Sequence, residues 1–258
     1  MIKTIDFDIP EFRALKKVPN RLYFEGHSAL LKKQKISIIG TRRPIAYTKT
    51  LTNQLAGALA KRGIVIVSGA AMGVDALAHQ GAGVKNTIAV MPCGLSHRYP
   101  ATNRALIEKM SHEGLVMSQF ENDFKATPWS FVVRNELVVA LGDVLIVTQC
   151  DVKSGSMRSI EYALAQGKKI YVLPHRVGDS EGTNRLVAQG QAEVIYNIDT
   201  FVSQFGDTLP ISKTNDDFMN YCTTNPPYEE AIAKYPSRVF EAELMGEIMI
   251  KDAKVMLL

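Results

Sequence analysis

Lys35-Ile-Ser-Ile-Ile-Gly-Thr-Arg-Arg-Pro44 is a short apolar run, Ile36 to Ile39, that ends in Gly40, Thr41, Arg42 and Arg43. A buried strand running into a glycine and two arginines makes a corner suited to anions. Glycine lets the backbone approach a phosphate, backbone N–H groups point at it, and arginine adds a forked, permanent charge. One such corner suits a nucleotide, a sulfate or nothing. A second follows at Ile64-Val-Ile-Val-Ser-Gly-Ala-Ala-Met-Gly73. A third runs from Val144-Leu-Ile-Val-Thr148 to Lys153-Ser-Gly-Ser156. Parallel sheets gather such corners along one edge.

Short β-branched runs predict strands at Ile36–Ile39, Ile64–Val67, Thr87–Val90, Leu115–Met117, Val144–Val147, Ile170–Leu173 and Glu193–Tyr196. Between them, apolar residues at helical spacing predict helices over Thr48–Lys61, Val74–Ala82, Asn103–His112, Ser130–Leu141, Ser156–Gln166 and Thr183–Gln189. This alternation implies an α/β fold with a mostly parallel sheet and helices on both faces. Gly63 after Lys61-Arg62, and Gly167 before Lys168-Lys169, read as helix stops.

The chain has 258 residues, 46% hydrophobic and 22% charged, enough for one large domain and a small appendage. Residues 1–34 read as a small helical preface, with Phe12, Leu15, Leu22, Leu30 and Leu31 among basic residues. A break near Gly206–Pro210 and a polar linker at Ser212–Asp217 precede a small, mainly helical C-terminal domain, 218–258. The charge is uneven. Residues 1–43 carry ten Lys/Arg against four Asp/Glu, and residues 201–258 carry five against nine. A basic front suits an anionic partner. No apolar run is long enough to span a bilayer, and the N-terminus has no signal-peptide pattern, so no membrane insertion is expected. Cys93, Cys150 and Cys222 form no CxxC pair, which argues against a metal site and for a cytoplasmic, reducing setting.

Three constellations carry the candidate chemistry. Ser68, Gly69 and Gly73 lie between a strand and a helix N-terminus, an anion seat. Asp75 and His79, four apart, share a helix face as an acid–base pair or, more simply, a brace for the loop. After Pro128-Trp129-Ser130, with Ser130 as helix cap, comes Phe131-Val-Val-Arg-Asn135. Phe131 with Arg134 reads equally as a platform for single-stranded nucleic acid or as helix bracing; Trp129 reads as a core aromatic. Lys153, Ser154, Gly155 and Ser156 form a phosphate-cradling nest or a plain capped loop. No dinucleotide or P-loop fingerprint is present, so no nucleotide cofactor is expected.

Taken in order, Ile39-Gly-Thr-Arg42, Ile66–His79, Thr87–Leu95, Tyr99-Pro100, Arg134-Asn135, Lys153–Ser156 and Gly182-Thr-Asn-Arg-Leu186 resemble the DNA-processing protein A (DprA/Smf) family over roughly residues 20–195. The resemblance implies an extended Rossmann-like DNA-binding domain over 35–206 and no catalytic activity. It implies single-stranded DNA binding, protection of DNA entering in natural transformation, loading of RecA recombinase, and a homodimer. It also allows a winged-helix-like C-terminal domain. The sequence departs from the family pattern at Val132, where a proline is usual, at Thr148-Gln149-Cys150, where a glutamate is frequent, and at Arg43-Pro44.

The DNA-binding residues expected are Gly40, Thr41, Arg42, Arg43, Ser68, Gly69, Gly73, Phe131, Arg134, Asn135, Lys153, Ser154, Gly155 and Ser156. Two rival readings stand beside this one. One is a nucleotide phosphoribohydrolase of the lysine decarboxylase-like type, with its glycine-rich loop at Ser154–Arg158 and Glu161. The other is a protein-interaction scaffold.

Overall fold

The computed structural model describes residues 2–206, 216–244 and 247–257. Its strands up to residue 194 are β1 (Lys3–Thr4), β2 (Tyr23–Gly26), β3 (Lys35–Ile39), β4 (Val65–Ser68), β5 (Thr87–Val90), β6 (Leu115–Ser118), β7 (Leu145–Val147), β8 (Ile170–Val172) and β9 (Glu193–Val194). They form one sheet in the order β1-β2-β6-β5-β4-β3-β7-β8-β9. From β6 to β9 every pairing is parallel. This is the expected extended Rossmann-like α/β architecture.

The intervening helices are α1 (Ala46–Lys61), α2 (Val74–Ala82), α3 (Arg104–Glu113), α4 (Pro128–Leu141), α5 (Ser156–Ala165), α6 (Glu181–Ala188) and α7 (Ile198–Val202). Side chains alternate across the sheet. Val65, Val67, Leu145 and Val147 pack with α4 residues Leu137, Val138 and Leu141 in one cluster. Ile36, Ile38, Ile66 and Ile146 pack with α1 residues Leu55 and Leu59 and α2 residues Val74 and Ala78 in another. Burial on both faces explains why these strands read as unbroken apolar runs. Gly63 and Gly167 adopt φ of 79° and 65°, as helix stops require.

Helix α4 starts two residues earlier than expected. Thr127, not Ser130, is its N-cap. The two side chains form a reciprocal capping box, and Pro128 occupies the first turn, where no amide hydrogen is needed.

The N-terminal segment is not a helical preface. It holds two short 3-10 turns, Pro10–Ala14 and Ser28–Lys32, and two strands that extend the sheet. β2 pairs antiparallel with β6, covering an edge the parallel core would leave open, and β1 pairs antiparallel with β2. Phe12, Leu15, Leu22, Leu30 and Leu31 are buried, but in the main core. Pro10 and Pro19 interrupt the stretch, and its apolar residues lack a sustained helical period. Lys35, which opens β3, is buried. Its Nζ lies 2.5 Å from Glu11 Oε1 and donates to the Leu31 and Lys33 carbonyls.

The described residues fall into two compact units, one up to residue 206 and one from residue 216. In the second unit, α8 (Asp217–Cys222), α9 (Tyr228–Lys234) and α10 (Pro236–Leu244) precede a hairpin of β10 (Ile248–Lys251) and β11 (Lys254–Leu257). Phe218, Cys222, Ala231, Val239, Ala242, Ile248 and Val255 form its own core. Three helices followed by a hairpin fit a winged-helix-like unit. The expected linker at Ser212–Asp217 lies outside the described residues up to 215. Asp216 caps α8 through its side chain.

Replacing Glu11 with Gln leaves the buried Lys35 ammonium without its counter-charge. The variant is expected to lose about 1–3 kcal/mol of stability, read as a lower urea midpoint.

Candidate functional site

Chain order runs outward from β3 through β4 and β5 to β6, then resumes on the other side of β3 with β7, β8 and β9. The loops after β3 and β7 therefore diverge, and a crevice opens between them at the carboxyl ends of the strands. A cleft of about 670 Å3 occupies it. Gly40, Thr41, Arg42, Arg43, Phe131, Arg134, Asn135, Ser154, Gly155 and Ser156 all line this cleft. Corners more than a hundred residues apart in sequence thus share one wall.

Hydrogen bonds hold the corners together. Ser156 Oγ donates to the Gly40 carbonyl at 3.0 Å, joining the first and third corners. Thr41 N–H donates to the Gln149 carbonyl at 2.9 Å, and Val74 N–H donates to the Thr41 carbonyl at 3.1 Å. A Cβ on Gly40 would press on Val74 and the Gln149 carbonyl, so close approach is what this glycine permits. Gly73, at φ 80°, lets the start of α2 sit against the backbone of Thr41 and Arg42. Two helix starts reach the cleft, α4 through Pro128 and Phe131 and α5 through Ser156, and their dipoles favour an anion there.

The second corner lies behind the first. Ser68 is fully buried, and its Oγ donates to the Ile38 carbonyl at 2.7 Å. Gly69 N–H donates to Asp75 Oδ2 at 3.1 Å, while its carbonyl accepts from Arg134. Between these contacts Ala70 is held at φ 55°, a left-handed backbone that costs strain for a residue with a Cβ. Ser68, Gly69 and Gly73 do not line the main cleft, nor does Lys153, which stands exposed beside it.

Arg134 is only 4% exposed. Its Nη1 donates to the Gly69 and Val90 carbonyls, and its Nε donates to Asn135 Oδ1 at 3.1 Å. Burial lowers its pKa, opposed by the Asp75 charge. Burial likewise raises the Asp75 carboxyl, opposed by Arg134. The two support each other in a dry site. Arg42 is exposed, with its guanidinium carbon 5.6 Å from the Phe131 ring centre. That of Arg134 is 5.9 Å away. Phe131 also meets Tyr99 edge-on at 5.6 Å. Among the described residues no carboxylate pairs with Arg42 or Arg43, so the cleft mouth is basic.

Asp75 and His79 do not pair with each other. Asp75 holds the Gly69 loop, and His79 Nδ1 lies 2.5 Å from Thr87 Oγ1. Since that hydroxyl donates to the Ile66 carbonyl, it accepts from Nδ1–H, leaving buried Nε2 without a partner. Burial takes the His79 pKa down to about 3. The simpler reading, a loop brace, fits Asp75. Nothing here resembles an acid–base pair. Among the described residues no group of three or more His, Cys, Asp or Glu is placed to hold a metal.

Sequence reasoning set Arg158 near the Ser154–Ser156 nest without counting it as a site residue, and it missed Asp151; both line the cleft. It also misplaced Trp129, which is 62% exposed rather than in the core.

A family model described as DNA recombination-mediator protein A matches residues 2–206. The chain belongs to this family. DNA processing protein DprA of Bacillus subtilis is 36% identical over 178 residues, which is 67% of this chain and 60% of that protein. Protein Smf of Escherichia coli is 30% identical over 255 residues, 94% of this chain and 67% of that protein. The chain therefore spans less than two thirds of the Bacillus relative. DNA processing protein A of Helicobacter pylori, solved in a study of its single-stranded DNA binding mode, superposes with a TM-score of 0.77 at 44% identity. The match covers 79% of this chain and 94% of that one. The Streptococcus pneumoniae protein follows at 0.74 and 26% identity, over 79% of this chain and 74% of that one. The family is one of recombination mediators, a binding role rather than an enzymatic one. Val132, which stands where the family pattern usually has a proline, lies within α4 and lines the cleft.

The buried His79 gives the fold a pH signature. Above about pH 6.5 the ring is neutral in both folded and unfolded chains. Between 6.5 and about 3 the unfolded chain takes up a proton that the folded chain refuses. Stability therefore falls with acidification, by up to about 1.4 kcal/mol per pH unit. Urea unfolding across this range is expected to show the wild type losing stability faster than His79→Asn.

Proposed function

We propose that this chain binds single-stranded DNA in the strand-end cleft and, as a homodimer in the cytoplasm, protects DNA entering in natural transformation and loads RecA recombinase onto it. The observation that carries the DNA-binding reading is the pairing of exposed Arg42 with Phe131 at the mouth of a basic cleft. A charge for phosphate beside a ring for a base is what a single strand requires and a duplex, with its bases stacked inside, does not satisfy. Membership in a recombination-mediator family and likeness to a Helicobacter pylori protein studied for single-stranded DNA binding support the same reading. The mediator role makes RecA the natural recipient. Two basic grooves in a dimer would raise the effective concentration of each for one strand. Three free, buried cysteines suit a reducing compartment.

The residues then divide by task. Gly40, Thr41, Arg42, Arg43, Ser154, Gly155, Ser156 and Asn135 meet the phosphate backbone, and Lys153 adds charge at the rim. Phe131 stacks on a base. Ser68, Gly69, Gly73 and Arg134 position the cleft floor from behind; most of Arg134's donors already serve carbonyls and Asn135. The phosphoribohydrolase alternative asks Glu161 to act in the cleft, but that carboxylate is exposed and paired with Arg158 at 2.9 Å.

A mobility shift with oligo-dT against matched duplex tests the reading, and preference for duplex or no shift at all would sink it. Arg42→Ala is expected to weaken oligo-dT affinity and to reduce the slope of log affinity against log salt by about one. An unchanged slope and affinity would remove Arg42 from the site.

A further inference from the structure

Trp129 is the only tryptophan in the chain, and it stands 62% exposed at the second position of α4. Tryptophan is highly buried on average, so an indole this open stands out. This one is not loose. Its ring meets Phe120 edge-on, with centroids 5.8 Å apart, and Phe120 is stacked on Phe124 at 4.5 Å and 13°. Phe120 itself is buried. The indole is thus braced on a two-ring pedestal while much of its surface stays open.

Its place in the fold gives it an occupant. Phe120 follows β6, Tyr99 lies in the loop after β5, and Arg42 follows β3. All stand at the carboxyl ends of parallel neighbours. Three strand spacings separate β3 from β6, roughly 14 Å. Along that edge lie Arg42, Phe131 in contact with Tyr99, and then Trp129. Pro128, the chain neighbour of Trp129, lines the cleft, and exposed Met72 and Tyr99 border a small apolar slot that shares Arg42 and Phe131 with it. Pro128 thus ties the start of α4, and with it the indole, to the edge of the proposed DNA site. Charge then says how a strand is held here. Near the indole, exposed Glu121 and Asp123 offset exposed Lys125 and Arg21, so this end offers phosphates little net attraction. A stacked base is the contact it suits.

We propose that Trp129 is a second stacking platform, taking a base of the same DNA strand as it passes from the Arg42–Phe131 cleft toward the β6 end of the sheet. This rests on the single-strand reading above and adds a direction to it: phosphate grip at the β3–β7 crevice and base stacking toward β6.

The single tryptophan makes the test direct. Oligo-dT of about twelve nucleotides, within the span that single-strand grooves cover, is titrated into the full chain. Indole emission is followed in parallel with a mobility shift. The emission is expected to be quenched over the same concentrations as the shift, whereas a thymidine dinucleotide, too short to reach from the cleft, quenches much less. Trp129→Ala is expected to lower oligo-dT affinity about tenfold with an unchanged salt slope, the opposite signature to Arg42→Ala, and Trp129→Phe to restore most of it. A wild-type chain that shifts oligo-dT with unmoved emission overturns this inference alone. So does a well-folded Trp129→Ala of wild-type affinity. Emission that instead shifts with protein concentration in the absence of DNA assigns the indole to a second copy of the chain and overturns it too. A wild-type chain that shifts no oligo-dT removes the parent reading as well.

Discussion

The guanidinium of Arg134 holds the strand-end edge together. Buried in the first half of α4, it reaches the Gly69 carbonyl after β4 and the Val90 carbonyl at the end of β5, with Asp75 of α2 as its counter-charge. One side chain therefore ties two strands and two helices at the point where their loops must be placed. A buried charge is costly unless paired and hydrogen-bonded, and here Asp75, two carbonyls and Asn135 meet most of its demand. The arrangement compensates for local strain, since Ala70 sits in a left-handed conformation between residues that Arg134 and Asp75 hold.

With that floor fixed, the front of the cleft can be built for contact. The strand order reverses beside β3, so the loops carrying Gly40–Arg43 and Ser154–Ser156 part there, and the Ser156–Gly40 hydrogen bond sets their separation. The arginines also divide their roles by burial. Arg134 is enclosed and structural, while Arg42 is exposed over Phe131 with a face of its charge open to solvent. Cationic groups at the β3 side and aromatic groups toward β6 give the edge a polarity that a linear polyanion with bases can follow.

The sheet and its helices were legible in the sequence. Continuous β-branched runs such as Ile64–Val67 and the glycine stops at Gly63 and Gly167 are local signals, and the elements lie where those signals put them. The first and third glycine corners likewise announced the cleft, because close backbone approach leaves a residue type behind, whereas the second lies behind it. The N-terminal stretch was misread. Its burial comes from pairing with β6, a partner some ninety residues away, and nothing in residues 1–34 names that partner. The start of α4 was misread for a smaller reason: Thr127 and Ser130 are both capable caps, and only geometry shows which one leads.

The residues alone determined an α/β sheet, three anion-suited corners and an aromatic–arginine helix start, since each depends on neighbours within a few positions. Tertiary structure decided which side chains face water. Arg134 and Arg42 are the same residue type, yet one is buried between β4 and β5 and the other stands over the cleft. Trp129 resembled core and is exposed, because Phe120 and Phe124 already fill the space beneath it. Burial is set by the packing of segments distant in sequence, and no local pattern encodes it.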